Sequence, residues 1–170
     1  GPLNQAIKLK PEPNFYVALG NAEVQLNNLT NALRAYEQAL KLSPENAKAL
    51  QGLSAVYLKN GNATQAEEVL RRAVQISPDD ATVFFNLGLI LERGGRLDEA
   101  AESYRAAVDR ESSFAAAYTR LGGVLAQLGK LDDAERALRS ATLHAPKDPV
   151  VWLALSSVLE RKKDYVGGFV

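Results

Sequence analysis

Large apolar, small and polar residues recur along this chain in a fixed order with a period of thirty-four residues. Counted from Pro13, Ala47, Ala81, Ala115 and Pro149, the fourth place holds Tyr16, Leu50, Phe84, Tyr118 and Trp152. The seventh is leucine every time (Leu19, Leu53, Leu87, Leu121, Leu155), and the eighth is small (Gly20, Ser54, Gly88, Gly122, Ser156). In the second half of the period, Ala32, Ala66, Ala100 and Ala134 fill the twentieth place, with Gly168 in the incomplete last unit. Tyr36, Leu70, Tyr104 and Leu138 take the twenty-fourth place, and Ala39, Ala73, Ala107 and Ala141 the twenty-seventh. Spacings of three and four put each set on one stripe of an amphipathic α-helix, so every period predicts a pair of helices. Small residues at the eighth and twentieth places let two backbones approach, and the large ones fill the grooves around them.

The joints carry their own signals. Gly61, Gly95 and Gly129 share the fifteenth place, where a helix ending in a left-handed residue calls for glycine, and Asn27 is the usual substitute in the first unit. Thr30, Asp98 and Asp132 follow, suited to the N-cap or first turn of a second helix. Pro44, Pro78 and Pro146 then punctuate the passage to the next unit.

A thirty-four-residue period with these signatures resembles the tetratricopeptide repeat family over essentially the whole chain. The resemblance implies an all-α fold, a right-handed superhelical solenoid of stacked antiparallel helix pairs. The expected units are 13–46, 47–80, 81–114 and 115–148, with 149–170 a partial unit contributing its first helix. Residues 1–12 are expected to hold a tag remnant, Gly1-Pro2, and the tail of a preceding repeat, because "AIKLKP" echoes "ALKLSP" of the first unit. Two departures are local: Glu23 stands where other units carry Tyr57, Leu91, Leu125 and Leu159, and Ser112 replaces the proline, which is expected to alter the angle between the third and fourth units. At the far end, Trp152, Leu155 and Leu159 would ordinarily be covered by a following helix, which reads as a fragment of a longer array.

Composition narrows the chemistry. The 170 residues include 20 lysines and arginines against 20 aspartates and glutamates, a zero formal net charge without the basic field of a nucleic-acid binder. No apolar run reaches the length of a membrane span. There is no cysteine and only one histidine, so no metal site and no cofactor is expected. His144 reads as a solvated or weakly capping residue at a helix end. The acidic pairs Glu67–Glu68, Asp98–Glu99 and Asp132–Asp133 read as starts of second helices, where negative charge suits the dipole, rather than as acid–base pairs. The turns "GRLDEA" and "GKLDDA" lack the spacing of a phosphate loop. Two glycosylation sequons, Asn28-Leu29-Thr30 and Asn62-Ala63-Thr64, read as helix starts. The chain is therefore expected not to be an enzyme.

The second, fifth, sixth and ninth places of each first helix form another stripe, shifted two residues from the core stripe. At about 100° per residue it lies roughly 200° away, on the opposite side of the helix. In the tetratricopeptide family this stripe lines the concave groove where extended peptides or partner helices lie, so the resemblance implies a protein-interaction scaffold. The candidate groove residues are Asn21, Lys48, Gln51, Thr82, Phe85, Asn86, Leu89, Thr119 and Arg120. Phe85 and Leu89 are expected to form an apolar anchor, flanked by polar contacts from Gln51, Asn86 and Arg120; the competing reading is that both apolar residues cover neighbouring helices. The family's two-carboxylate clamp for chaperone tails is matched only at Asn86 and Arg120, since Gln51, Ala55 and Ala116 replace its other polar residues, so that ligand is not expected. Two further readings are self-association through exposed terminal repeats and service as the targeting arm of an enzyme whose catalytic domain lies elsewhere.

Overall fold

The computed structural model describes the backbone of residues 12–167 and the side chains of residues 12–163. The expected tag remnant and repeat tail before Glu12, and Gly168, lie outside the described residues. Nine helices and no strand are found among them: α1 (Pro13–Gln25), α2 (Leu29–Leu42), α3 (Ala47–Lys59), α4 (Ala63–Ile76), α5 (Ala81–Arg93), α6 (Leu97–Arg110), α7 (Ala115–Gln127), α8 (Leu131–His144) and α9 (Pro149–Gly167).

The helices divide into two compact units, residues 1–78 and 79–170. In the first, α1 packs on α2, α2 on α3 and α3 on α4. In the second, α5 packs on α6, α6 on α7, α7 on α8 and α8 on α9. Successive packing follows from short connections that end each helix in the same way. Asn27 (φ 59°), Gly61 (79°), Gly95 (73°) and Gly129 (76°) adopt the left-handed conformation. The next amide reaches back to the helix: Asn62 N–H donates to the Tyr57 carbonyl (2.8 Å), and Lys130 N–H to that of Leu125 (2.9 Å). This 6→1 bond closes a Schellman cap and satisfies a terminal carbonyl.

The second helices start with Thr30, Asp98 and Asp132 in the first turn, one of the two places expected of them. Their N-caps are Asn28, Asn62, Arg96 and Lys130, none with a capping side chain; Thr30, Asp98 and Asp132 sit one residue inside the helix. Asp98–Glu99 and Asp132–Asp133 occupy the first turn, where the dipole favours them. Glu67 and Glu68 do not: they lie a turn further into α4, where Glu67 pairs with Arg71 at 2.8 Å. Helix α6 ends at Arg110, at the same phase as α2, α4 and α8, although Ser112 has replaced the proline.

The core is built from the alternating large and small places. Tyr36 and Tyr104 are almost wholly buried, as are Leu70 and Leu138 at the same place of the other second helices. A Cβ built on Gly20 would lie 2.6 Å from the Tyr36 ring and one on Gly52 2.4 Å from it, so the ring is held between two glycine backbones. A Cβ on Gly88 would likewise lie 2.6 Å from the Tyr104 ring, and one on Gly122 2.5 Å from Leu138. The hydroxyls are satisfied too: Tyr36 Oη donates to Asn21 Oδ1 (2.7 Å) and Tyr104 Oη to Glu92 Oε2 (2.6 Å). The end helix departs from expectation at one residue. Leu155 is 5% exposed and already buried within the unit, whereas Trp152 is half exposed with its indole N–H on the Pro146 carbonyl (2.8 Å).

Candidate functional site

The candidate stripe is not uniformly open. Its fifth place is buried in the first unit, where Val17 joins the core around Tyr36, half-buried at Gln51, Phe85 and Thr119, and 73% exposed at Leu153. Gly52, on the same stripe, is spent on packing against Tyr36. In residues 12–78 the candidates are Asn21, Lys48 and Gln51. Asn21 holds the Tyr36 hydroxyl, Lys48 is exposed, and Gln51 is half-buried with its carbonyl accepting from Ser54 Oγ (2.8 Å).

The remaining candidates lie in residues 79–167. Phe85 rests against two rings, Tyr104 at 5.7 Å and Phe114 at 4.9 Å between centroids. From there a chain of contacts crosses the unit. Tyr104 donates to Glu92, and the other Glu92 oxygen lies 3.6 Å from Nη1 of Arg120. Burial first, then the bond to Glu92, pushes the Tyr104 hydroxyl far above its ordinary pKa of 10.0, and burial raises Tyr36 in the same sense. Arg120 is thus oriented by Glu92 yet remains 53% exposed. Thr119 turns its hydroxyl back to the Ala115 carbonyl (2.9 Å). Thr82 is exposed, Asn86 and Leu89 are half-buried, and among the described residues no hydrogen bond or ion pair engages the side chains of Lys48, Thr82 or Asn86.

One residue of this face, Glu92, escaped the sequence reading, and a second, Gly123, occupies the stripe's ninth place in the fourth unit. Glu92 stands at the twelfth place, where the other units carry Val24, Leu58, Ala126 and Glu160; an acid at a phase that is apolar in three of the five units was its signal. Gly123 follows the packing residue Gly122 in the middle of α7, and a Cβ there would meet nothing within 4 Å. No close neighbour and no left-handed backbone requires glycine at that position.

Elsewhere, His144 ends α8 and its ring stacks on Tyr118 at 6.1 Å, an engagement the sequence did not suggest. Among the described residues no cluster of three or more His, Cys, Asp or Glu is placed to hold a metal ion, and no helix is long and apolar enough to cross a membrane.

The helical pairs find their counterpart in known families. A family model described as tetratricopeptide repeat matches residues 17–81 and 57–116, and a second of the same description matches 93–158. The chain belongs to the tetratricopeptide repeat family. Solved structures agree on the fold, an all-α helical-repeat solenoid. The MamA protein is 24% identical with a TM-score of 0.80, covering 89% of this chain and 82% of its own. YrrB is 22% identical with a TM-score of 0.80, covering 96% and 84%, and PilF of Pseudomonas aeruginosa is 24% identical with a TM-score of 0.80, covering 91% and 70%. Comparison with curated proteins finds no match. Within this tetratricopeptide repeat chain, Tyr36 and Tyr104 are the aromatic members of the second-helix pattern, and Gly20 and Gly88 the glycines that receive them.

Proposed function

We propose that the chain is a non-catalytic interaction module that receives an extended peptide or partner helix along the first-helix stripe of residues 79–167. Asn86, Thr119 and Arg120 are its polar contacts and Leu89 and Leu153 its apolar ones. Phe85 braces the face from behind through Tyr104 and Phe114. Thr82 lies on the same stripe of α5, and Asn21, Lys48 and Gln51 occupy the corresponding stripe of α1 and α3 in residues 12–78. The observation that carries this reading is Gly123. A glycine inside a helix costs about 1 kcal/mol relative to alanine, and at half-buried Gly123 no neighbour within 4 Å of a Cβ and no backbone strain offsets that cost. Close approach of a ligand backbone is the function glycine serves in such a place. YrrB, described as a TPR protein with an unusual peptide-binding site, offers a precedent within the fold. The non-catalytic part rests on the acidic pairs, where Asp98–Glu99 and Asp132–Asp133 sit in helix first turns and Glu67 is ion-paired with Arg71, and on His144, whose ring stacks on Tyr118.

Panning a random peptide-display library on the chain and on the double variant Asn86→Ala/Arg120→Ala tests the proposal. Asn86 is half-buried without a side-chain hydrogen bond among the described residues and Arg120 is 53% exposed, so the variant is expected to melt near wild type. Peptides enriched on wild type and lost on the variant are the expected result; equal enrichment on both removes the proposed face.

Self-association is the second reading, favoured by the apolar surface of α9, where Val150 (62%), Trp152 (50%) and Leu153 (73%) are exposed. Sedimentation across a concentration series, repeated with Leu153→Asp, distinguishes it: a mass that rises with concentration in wild type and not in the variant is expected if copies meet through α9.

A further inference from the structure

A second opening in residues 79–170 lies away from the candidate stripe. Leu121, Leu125 and Ala137 form the buried floor of a cavity of about 350 Å³, and Tyr118 makes one wall. Its rim carries two guanidinium groups, Arg105 from α6 and Arg136 from α8, with Asp133 beside them. Arg136 is ion-paired with Asp133, whereas Arg105 is exposed and forms no ion pair among the described residues. His144 stacks on Tyr118 and fixes the wall.

Two cavities in residues 12–78 occupy the same place in the thirty-four-residue period and serve as internal controls. One has Tyr16 and Leu19 on its floor with Glu23 and Arg34 around it; the other has Leu50 and Leu53 with Glu68 and Arg72. Each contains one acid and one base, so its charges balance. The cavity at Tyr118 has two bases and one acid, and the surplus positive charge belongs to the arginine without a partner. Repeat packing alone accounts for the balanced cavities and not for this surplus.

We propose that this cavity is a docking site for an acidic side chain of a partner peptide, a single carboxylate carried beside an apolar residue. The carboxylate takes the paired N–H groups of Arg105, a planar fork that matches it, and the free edge of Arg136. The apolar neighbour covers Tyr118 and the leucine floor. One net positive charge suits one carboxylate and leaves the second charge of a phosphate unmet. The site stands independently of the first-helix stripe.

The test is a titration of the full chain with N-acetyl-leucyl-glutamate amide, followed by amide and arginine side-chain chemical shifts. Parallel titrations use the glutamine analogue and inorganic phosphate. Saturable shifts at Arg105, Arg136, Tyr118 and Ala137 are expected with the glutamate ligand. The glutamine analogue should bind about tenfold more weakly, the scale of a lost charged hydrogen bond. Arg105→Gln, an exposed substitution that leaves the fold intact by melting, should weaken the glutamate ligand to the level of its analogue, while Asn86→Ala/Arg120→Ala should leave it unchanged. Equal binding of the two dipeptides, retention in Arg105→Gln, loss in the stripe variant, or tighter saturable binding of phosphate would each overturn the proposal.

Discussion

At the scale of single residues, two glycines of the same chain should answer the same substitution with opposite signs. A methyl group on Gly88 would stand 2.6 Å from the Tyr104 ring, inside a core with no room to yield. Gly88→Ala is therefore expected to destabilise by about 1–3 kcal/mol. Gly123→Ala meets open space and gains helix propensity, so it should stabilise by about 0.5–1 kcal/mol while hindering a ligand backbone. Melting curves of the two variants check this, and changes of equal sign would contradict the packing argument. Tyr104→Phe leaves the Glu92 oxygen without its 2.6 Å donor and should cost about 1–2 kcal/mol. Because the folded-state pKa values of Tyr36 and Tyr104 are raised, the stability they contribute is complete below the ordinary tyrosine value and declines as pH rises beyond it. The alkaline loss of stability should be smaller in Tyr104→Phe than in wild type, as pH-dependent melting would reveal.

Between elements, α9 is tied to α8 by one lysine. Lys162 Nζ lies 2.6 Å from Asp132 Oδ1 and 2.7 Å from Glu135 Oε2. Its hydrogen bond is the leading cause that holds Glu135 below the usual glutamate range, and the bond to Asp132 leads in raising Lys162. A depressed carboxylate contributes stability that is present above its unfolded pKa and lost as pH falls through the folded value. Lys162→Ala should therefore melt below wild type at neutral pH, with the gap closing as Glu135 is protonated; a gap independent of acid would contradict the tie. Helix phases were legible in the sequence because the thirty-four-residue period repeats both apolar stripes and the residue that turns left-handed, Asn27 or glycine. The starts of α2, α4, α6 and α8 were less so, since Thr30 and Asp98 satisfy a capping pattern equally well one residue into the helix. The candidate stripe was legible as a phase but not as a surface. Whether its fifth place is buried, as at Val17, or open, as at Leu153, depends on what packs beside each helix rather than on its own spacing.

For the molecule as a whole, family membership explains the repeated architecture, and the differences between repeats carry what is particular to this chain. Tyr36 and Tyr104 each close a core, yet the first hydroxyl is held by Asn21 and the second by Glu92, which also orients Arg120. The cavity at Tyr118 was illegible because its charge surplus arises from α6 and α8, distant in sequence, and emerges only when three cavities of the same phase are compared. The central claim is that the first-helix stripe of residues 79–167 is a binding face. Amide chemical-shift mapping with the most enriched displayed peptide tests it most directly. Perturbations gathered at Asn86, Leu89, Thr119, Arg120, Gly123 and Leu153 are predicted; perturbations that avoid these residues, or a library that enriches nothing, would contradict it.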